Sequence, residues 1–211
     1  MTFTQALLGF AAVAAVLTVI PGLDTTLVLR SALVRGGGYA FATALGIGTG
    51  ALIWGAAAAV GAAALLAASE VAYRLVTLGG AVYLVYLGVM LIVKSFRAHA
   101  LSVDGDTTDA PASRWHGFLT GVWTNLLNPK IGAFYLATIP QFIPAGASPL
   151  GMGLLLAGVH DLLAVVWFAL IIAGASYARR WLANARALRV IDRIAGVTLV
   201  GFGAKLAVQG H

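Results

Sequence analysis

The chain has 211 residues, of which 61% are hydrophobic and only 9% charged, with a net charge of +6 and no cysteine. A soluble domain carries about 25% charged residues to cover its surface, so a soluble globular protein is excluded, and the lack of cysteine excludes disulfide scaffolds and thiolate metal sites. The basic residues fall in the gaps between apolar runs, which points to orientation in a membrane and away from nucleic acid as a partner.

About 20 mostly apolar residues are needed to cross a hydrocarbon core of ~30 Å, and six stretches qualify. The first covers 3–33, too long for one untilted helix, and "PGLD" at 21–24 interrupts it. Its start, "MTFTQ", has no basic n-region, so it reads as a first membrane helix and not as a signal peptide. The second span covers 39–68 and the third 75–93. A polar stretch rich in Asp, Ser and Thr, 94–114, is the one long loop. The fourth span starts near Trp115 and passes through "NPK" to about 142; the fifth covers 150–176. A basic connector, "ARRWLANARALR", leads to the sixth, 190–208.

The expected fold is therefore all-α, a polytopic membrane protein of six transmembrane helices. Alternating the loops puts Arg30, Arg35, Lys94, Arg97, Arg114, Arg179, Arg180, Arg186, Arg189 and Arg193 on one face and Arg74 and Lys205 on the other. By the positive-inside rule the first face is cytoplasmic, with the 94–114 loop on it and both termini outside. Lys130 belongs to neither face. Within the spans, Gly46 with Gly50 and Gly117 with Gly121 form small-xxx-small ridges that let helix backbones approach closely.

Divided at the loop, 1–93 and 115–211 hold three spans each, so the second half enters the membrane from the opposite side. Each half begins with an interrupted span, "TVIPGLDTTLVL" and "TNLLNPKIGAFYL". Paired interruptions in two inverted repeats are the best sequence pointer to a transporter binding site. At the first break Pro21 and Gly22 loosen the backbone, Asp24 can cap a new half-helix, and Thr25 lies in its first turn. At the second, Asn128 is a good N-cap and Pro129 suits the first helical position. Both breaks would bare amides and a positive dipole end, which can bind a carboxylate. Lys130 at a helix N-terminus is unfavourable by itself, and an intramembrane charge costs a few kcal/mol or more; an anion beside it relieves both penalties. Asp24 for an ammonium and Lys130 for a carboxylate would together fit a zwitterionic amino acid.

The two breaks also carry a resemblance. With "TALGIGTG", "LGGAVYLVYLGVMLI", "GFLTGVWTNLLNPKIGAFYLATIPQF" and "IDRIAGVTLVGFGAKLA" in order, nearly the whole chain resembles the lysine exporter and homoserine/threonine resistance (LysE/RhtB) family of bacterial inner-membrane amino-acid exporters. The resemblance implies a small six-helix exporter of amino acids, working as a homo-oligomer and driven by the proton motive force, with no cofactor. Asp24, Asn128, Pro129 and Lys130 match the family pattern. Leu23 stands where the family usually has a second proline, so Gly22 is expected to supply more of the unwinding and the first break to be milder.

Deep in the fifth span, His160 and Asp161 are candidates for a coupling proton, or for ties between helices. Asn125 and Thr124 flank the second break and could bond substrate or freed carbonyls. Trp54, Tyr135 and Gln141 read as packing or interfacial residues. Two other functions stay open on the residues alone. Export of a divalent cation or other small metabolite has only Asp24 and Asp161 as carboxylates deep within the spans, with Asp192 near the start of the sixth, thin for a metal site. An intramembrane enzyme would use His160 and Asp161 but lacks a nucleophile with a clear base, and "GIGTG" follows no strand.

Overall fold

A computed structural model describes residues 1–96, 113–177 and 184–209. Most of the predicted 94–114 loop lies outside them, as do Arg97, Arg179 and Arg180. The described chain is helical: α1 Phe3–Val19, α2 Leu23–Arg35, α3 Gly37–Ala68, α4 Glu70–Ser95, α5 Arg114–Leu126, α6 Pro129–Thr138, α7 Pro149–Ala173 and α8 Ala185–Gln209, with a short 3₁₀ turn, Ile139–Phe142, after α6.

α3, α4 and α7 are each long and apolar enough to cross a membrane. The 32 residues of α3 reach about 48 Å at 1.5 Å per residue, well beyond the hydrocarbon thickness. α1 and α2 pass the same test together, as one span bent by 54° at Ile20–Gly22. α5, α6 and α8 do not pass it. α5 and α6 are short because Asn128 and Pro129 divide them, and α8 opens on Arg186, Arg189, Asp192 and Arg193.

Polarity is turned inside out relative to a soluble protein. Leu8, Val82, Leu162 and Val197 are among many large apolar side chains that face outward, while Asp24, Asn125, Asn128 and His160 are buried. Apolar side chains facing lipid lose nothing, whereas polar ones there would have no hydrogen-bonding solvent. The main core forms around Phe10, Phe134, Tyr135, Phe142, Leu156 and Leu199, with Phe10 edge-on to Phe142 at 5.7 Å. A second cluster joins Val28 and Leu29 of α2 to Ile47 of α3 and Phe168 and Ile171 of α7.

Small residues set which helices meet. The two predicted glycine ridges face each other: a Cβ on Gly46 would run into the Phe118 carbonyl, and one on Gly121 into the Thr43 carbonyl. α3 and α5 therefore lie backbone against backbone, as small-residue ridges allow. α4 and α8 repeat the device, since a Cβ on Gly88 would sit 2.5 Å from the Gly196 oxygen. α7 packs on α3 and α1, and α6 on α3 and α4. At one end of the α4–α8 pair, Arg193 donates to the Ser95 hydroxyl (3.1 Å) and lies over the Phe96 ring.

Candidate functional site

At the first break α1 ends because Pro21 cannot continue it, and Ile20 serves as its C-cap. α2 restarts at Leu23 with Gly22 as N-cap and no side chain capping it. Asp24 is thus not the cap expected of it. It lies within the first turn, where a negative charge still complements the helix dipole, and its carboxylate is held by the other half of the chain. Asn125 Nδ2 donates to one oxygen (3.0 Å) and Asn128 Nδ2 to the other (3.3 Å).

The second break follows its predicted chemistry. Asn128 is the N-cap of α6, its Oδ1 accepting from the Lys130 amide at 3.1 Å, and Pro129 takes the first helical position. The amides of Ile131 and Gly132 bond the Asn128 carbonyl. The first-turn amides of α6, expected to be bare for a carboxylate, are consequently already taken. The uncapped end is that of α2, whose first intrahelical bond runs from Thr26 N–H to the Gly22 carbonyl.

Lys130 crosses to the other break. Its ammonium donates to the Ile20 carbonyl at 3.3 Å, so a cation that is misplaced on its own helix sits at the C-terminal, negative end of α1. Room for it comes from Gly22, where an added Cβ would be 3.1 Å from Nζ. Lys130 and Asp24 nevertheless do not close to an ion pair within 4.0 Å.

Both groups face one narrow cavity of about 40 Å³, which Gly22, Thr25 and Asn125 also line. Such a volume holds a few waters. His160 and Asp161 reach it too, although neighbours on a helix point ~100° apart. They are held differently. His160 is buried, and its Nδ1 meets the Tyr135 hydroxyl at 2.9 Å. The Asp161 carboxylate lies over Gly48, where a Cβ would be 3.4 Å away. Apart from Thr18, whose hydroxyl donates to the Ala14 carbonyl of its own helix, the rest of the wall is apolar, with Leu17, Ile47, Ala51, Ile131, Ala164 and Phe168.

A model of the LysE type translocator family matches residues 15–210. The chain belongs to that family. The translocator is 34% identical to the uncharacterized membrane protein YrhP of Bacillus subtilis (strain 168), over 97% of this chain and all of the relative. It is 30% identical to a leucine efflux protein of Enterobacter sp. (strain 638), over 90% of each chain. A leucine efflux protein of Salmonella choleraesuis (strain SC-B67) is 27% identical over 90% of this chain and 89% of its own length. No solved structure matches. The translocator is therefore a multi-pass membrane transporter, and the enzyme reading falls with that membership.

Of the residues singled out in the sequence, Gly22, Asp24, Thr25, Asn125, Lys130, His160 and Asp161 come together at the translocator's cavity. Pro21, Asn128 and Pro129 do not line it; they shape the two breaks around it. Tyr135, read as packing, proves to hold His160. The signal for it was a tyrosine deep in an apolar run, because a buried phenol needs a hydrogen-bond partner. Trp54 lies over Gly132, 2.7 Å from where a Cβ would be, as a packing residue should. No residue type could have foretold that Lys130 bonds the Ile20 carbonyl.

Proposed function

We infer that this translocator exports neutral amino acids with an apolar side chain, leucine or its like, across the bacterial inner membrane. The observation that carries this reading is the pair of ionisable groups of opposite sign from two different helix breaks, Asp24 and Lys130, held at one cavity without closing to an ion pair within 4.0 Å. Asp24 takes the substrate ammonium. Lys130 and the uncapped start of α2, with Thr25, take the carboxylate. Asn125 and Asn128 hold the Asp24 oxygens by their amides, which leaves further lone pairs on each oxygen for an ammonium. The remainder of the wall, apolar but for Thr18, suits an aliphatic side chain, in line with the leucine efflux proteins among its relatives.

A cavity that holds a few waters is closed to an amino acid, so transport requires the halves to part. Alternating access of two inverted three-helix repeats, 1–93 and 115–211, supplies that motion. In support, α1 packs on α7 as α5 packs on α3, and α4 packs on α8, its counterpart in the other half. Asp161, whose carboxylate makes no hydrogen bond among the described residues, carries the coupling proton, and His160 lines its path.

The test is counterflow of a labelled amino-acid panel in proteoliposomes. Leucine-like substrates exchange in the wild type, and Asp24→Asn and Lys130→Met each abolish exchange. Asp161→Asn keeps exchange and loses accumulation driven by a pH gradient. Full exchange in Lys130→Met with loss in Lys130→Ala would refute the charge role of Lys130. A folded wild type that exchanges no amino acid, yet moves a divalent cation, would overturn the reading altogether.

A further inference from the structure

A second, larger cavity of about 250 Å³ opens beside the α2–α3 turn, lined by Leu27, Arg30, Ser31, Val34 and Arg35 of α2, Tyr39 of α3 and His116 and Thr120 of α5. No carboxylate lines it. Ser31 and Tyr39 are buried and make its inner wall, while Arg30 and His116 are exposed. The Arg35 guanidinium donates to the Tyr39 hydroxyl at 3.3 Å and stacks over its ring. His116 lies in the first turn of α5, at its positive dipole end. One sign of charge in a walled recess concentrates ions of the other sign.

Its position relative to the central site gives it a use. Asp24, Leu27, Ser31 and Val34 follow one face of α2 at helical spacing, so Ser31 is about 10 Å from Asp24 along the axis. On α5, Thr120 precedes Asn125 by about 7.5 Å. The recess and the central cavity thus lie at the two ends of the same pair of helices. The recess has room for a small zwitterion where the central cavity has room for waters.

We propose that this recess, on the face where the basic residues gather, receives the substrate carboxylate before the substrate passes between α2 and α5 to the central cavity. The inference rests on the amino-acid reading above. Arg30 and His116 attract the carboxylate, and the Ser31 hydroxyl offers it a hydrogen bond. Both groups act before occlusion, so they govern capture from one side only. A lipid phosphate offers the same oxyanion chemistry, and the experiment separates the two.

Leucine transport is measured with Arg30→Gln, Arg30→Lys and His116→Gln in full-length protein, using everted and right-side-out membrane vesicles, then proteoliposomes with and without anionic lipid. With substrate on the cytoplasmic face, Arg30→Gln raises KM about three- to tenfold while the maximal rate holds, His116→Gln has a smaller effect of the same kind, and Arg30→Lys restores capture. KM from the outer face does not change while the maximal rate from that face falls by the same factor, as detailed balance requires, and the shift is the same in both lipid compositions. An unchanged KM at the cytoplasmic face, or an equal rise from both faces, overturns the proposal. A shift confined to vesicles with anionic lipid assigns the recess to a lipid headgroup and overturns it as well. A wild type that moves no amino acid removes the underlying reading, whereas normal wild-type transport with an unchanged Arg30→Gln removes the recess alone.

Discussion

Asp24 is held where it is by neutral amides, and that choice bears on its chemistry. A buried ion pair with Lys130 would satisfy both charges and leave little for a ligand. Amide donors stabilise the carboxylate without cancelling its charge, and the 3.0 Å bond from Asn125 is the shorter of the two. A hydrogen bond to a charged group contributes about 1.5–3 kcal/mol. Asn125→Ala is expected to weaken leucine binding by that order, about ten- to a hundredfold, while Thr124→Ala, one residue away and outside the cavity lining, leaves it near wild type. Binding of labelled leucine to purified protein in detergent checks both. Equal losses in the two variants would show that the effect comes from α5 as a whole.

At the scale of elements, close helix contact places a buried polar side chain. A Cβ on Gly50 would be 2.9 Å from Asn125 Oδ1, so the bare ridge of α3 is what lets Asn125 stand against Asp24. Gly46→Ala, meeting backbone, is expected to force α3 and α5 apart and to cost about 1–3 kcal/mol. Gly61→Ala, in the same helix with nothing within 4 Å, is expected to be neutral or to stabilise by up to about 1 kcal/mol. Thermal unfolding of the two variants in one detergent decides this, and a Gly61→Ala that unfolds as early as Gly46→Ala would refute the packing account. The ridges were visible in the sequence because small residues at i and i+4 share a helix face. Their pairing was not, since nothing local says which helix lies opposite. The breaks were legible for a similar reason: proline and asparagine act on their own backbone. What was missed at the site was long-range, such as the reach of Lys130 to Ile20 and the amides that hold Asp24, both across more than a hundred residues of chain.

For the whole molecule, composition was enough to exclude a soluble fold, and hydropathy found four stretches that the described helices bear out as long and apolar enough to cross a membrane: α1 with α2, α3, α4 and α7. Where charges dilute a span, as at the start of α8, or a break shortens it, as between α5 and α6, length and apolarity no longer suffice. Orientation rests on the basic residues and is open to direct test, because a chain without cysteine accepts one at a chosen turn. Gly37→Cys stands at the α2–α3 turn and Ala145→Cys at the turn before α7, both exposed. A membrane-impermeant maleimide added to intact cells is expected to label Ala145→Cys, and Gly37→Cys only after permeabilisation. The reverse pattern would invert the topology and put the basic recess outside.

The double engagement of Asn128 has a consequence for how such a chain can vary. Its oxygen caps α6 while its nitrogen holds Asp24, and few replacements can meet both demands. Aspartate would cap equally well but has no proton to give and would set one carboxylate against another. Serine would have to serve both partners with one oxygen on a shorter arm. Glutamine keeps the amide but moves it one bond too far for the cap. Position 128 is therefore a narrow passage for mutational drift: a lineage that leaves asparagine must alter the start of α6 and the hold on Asp24 in the same step.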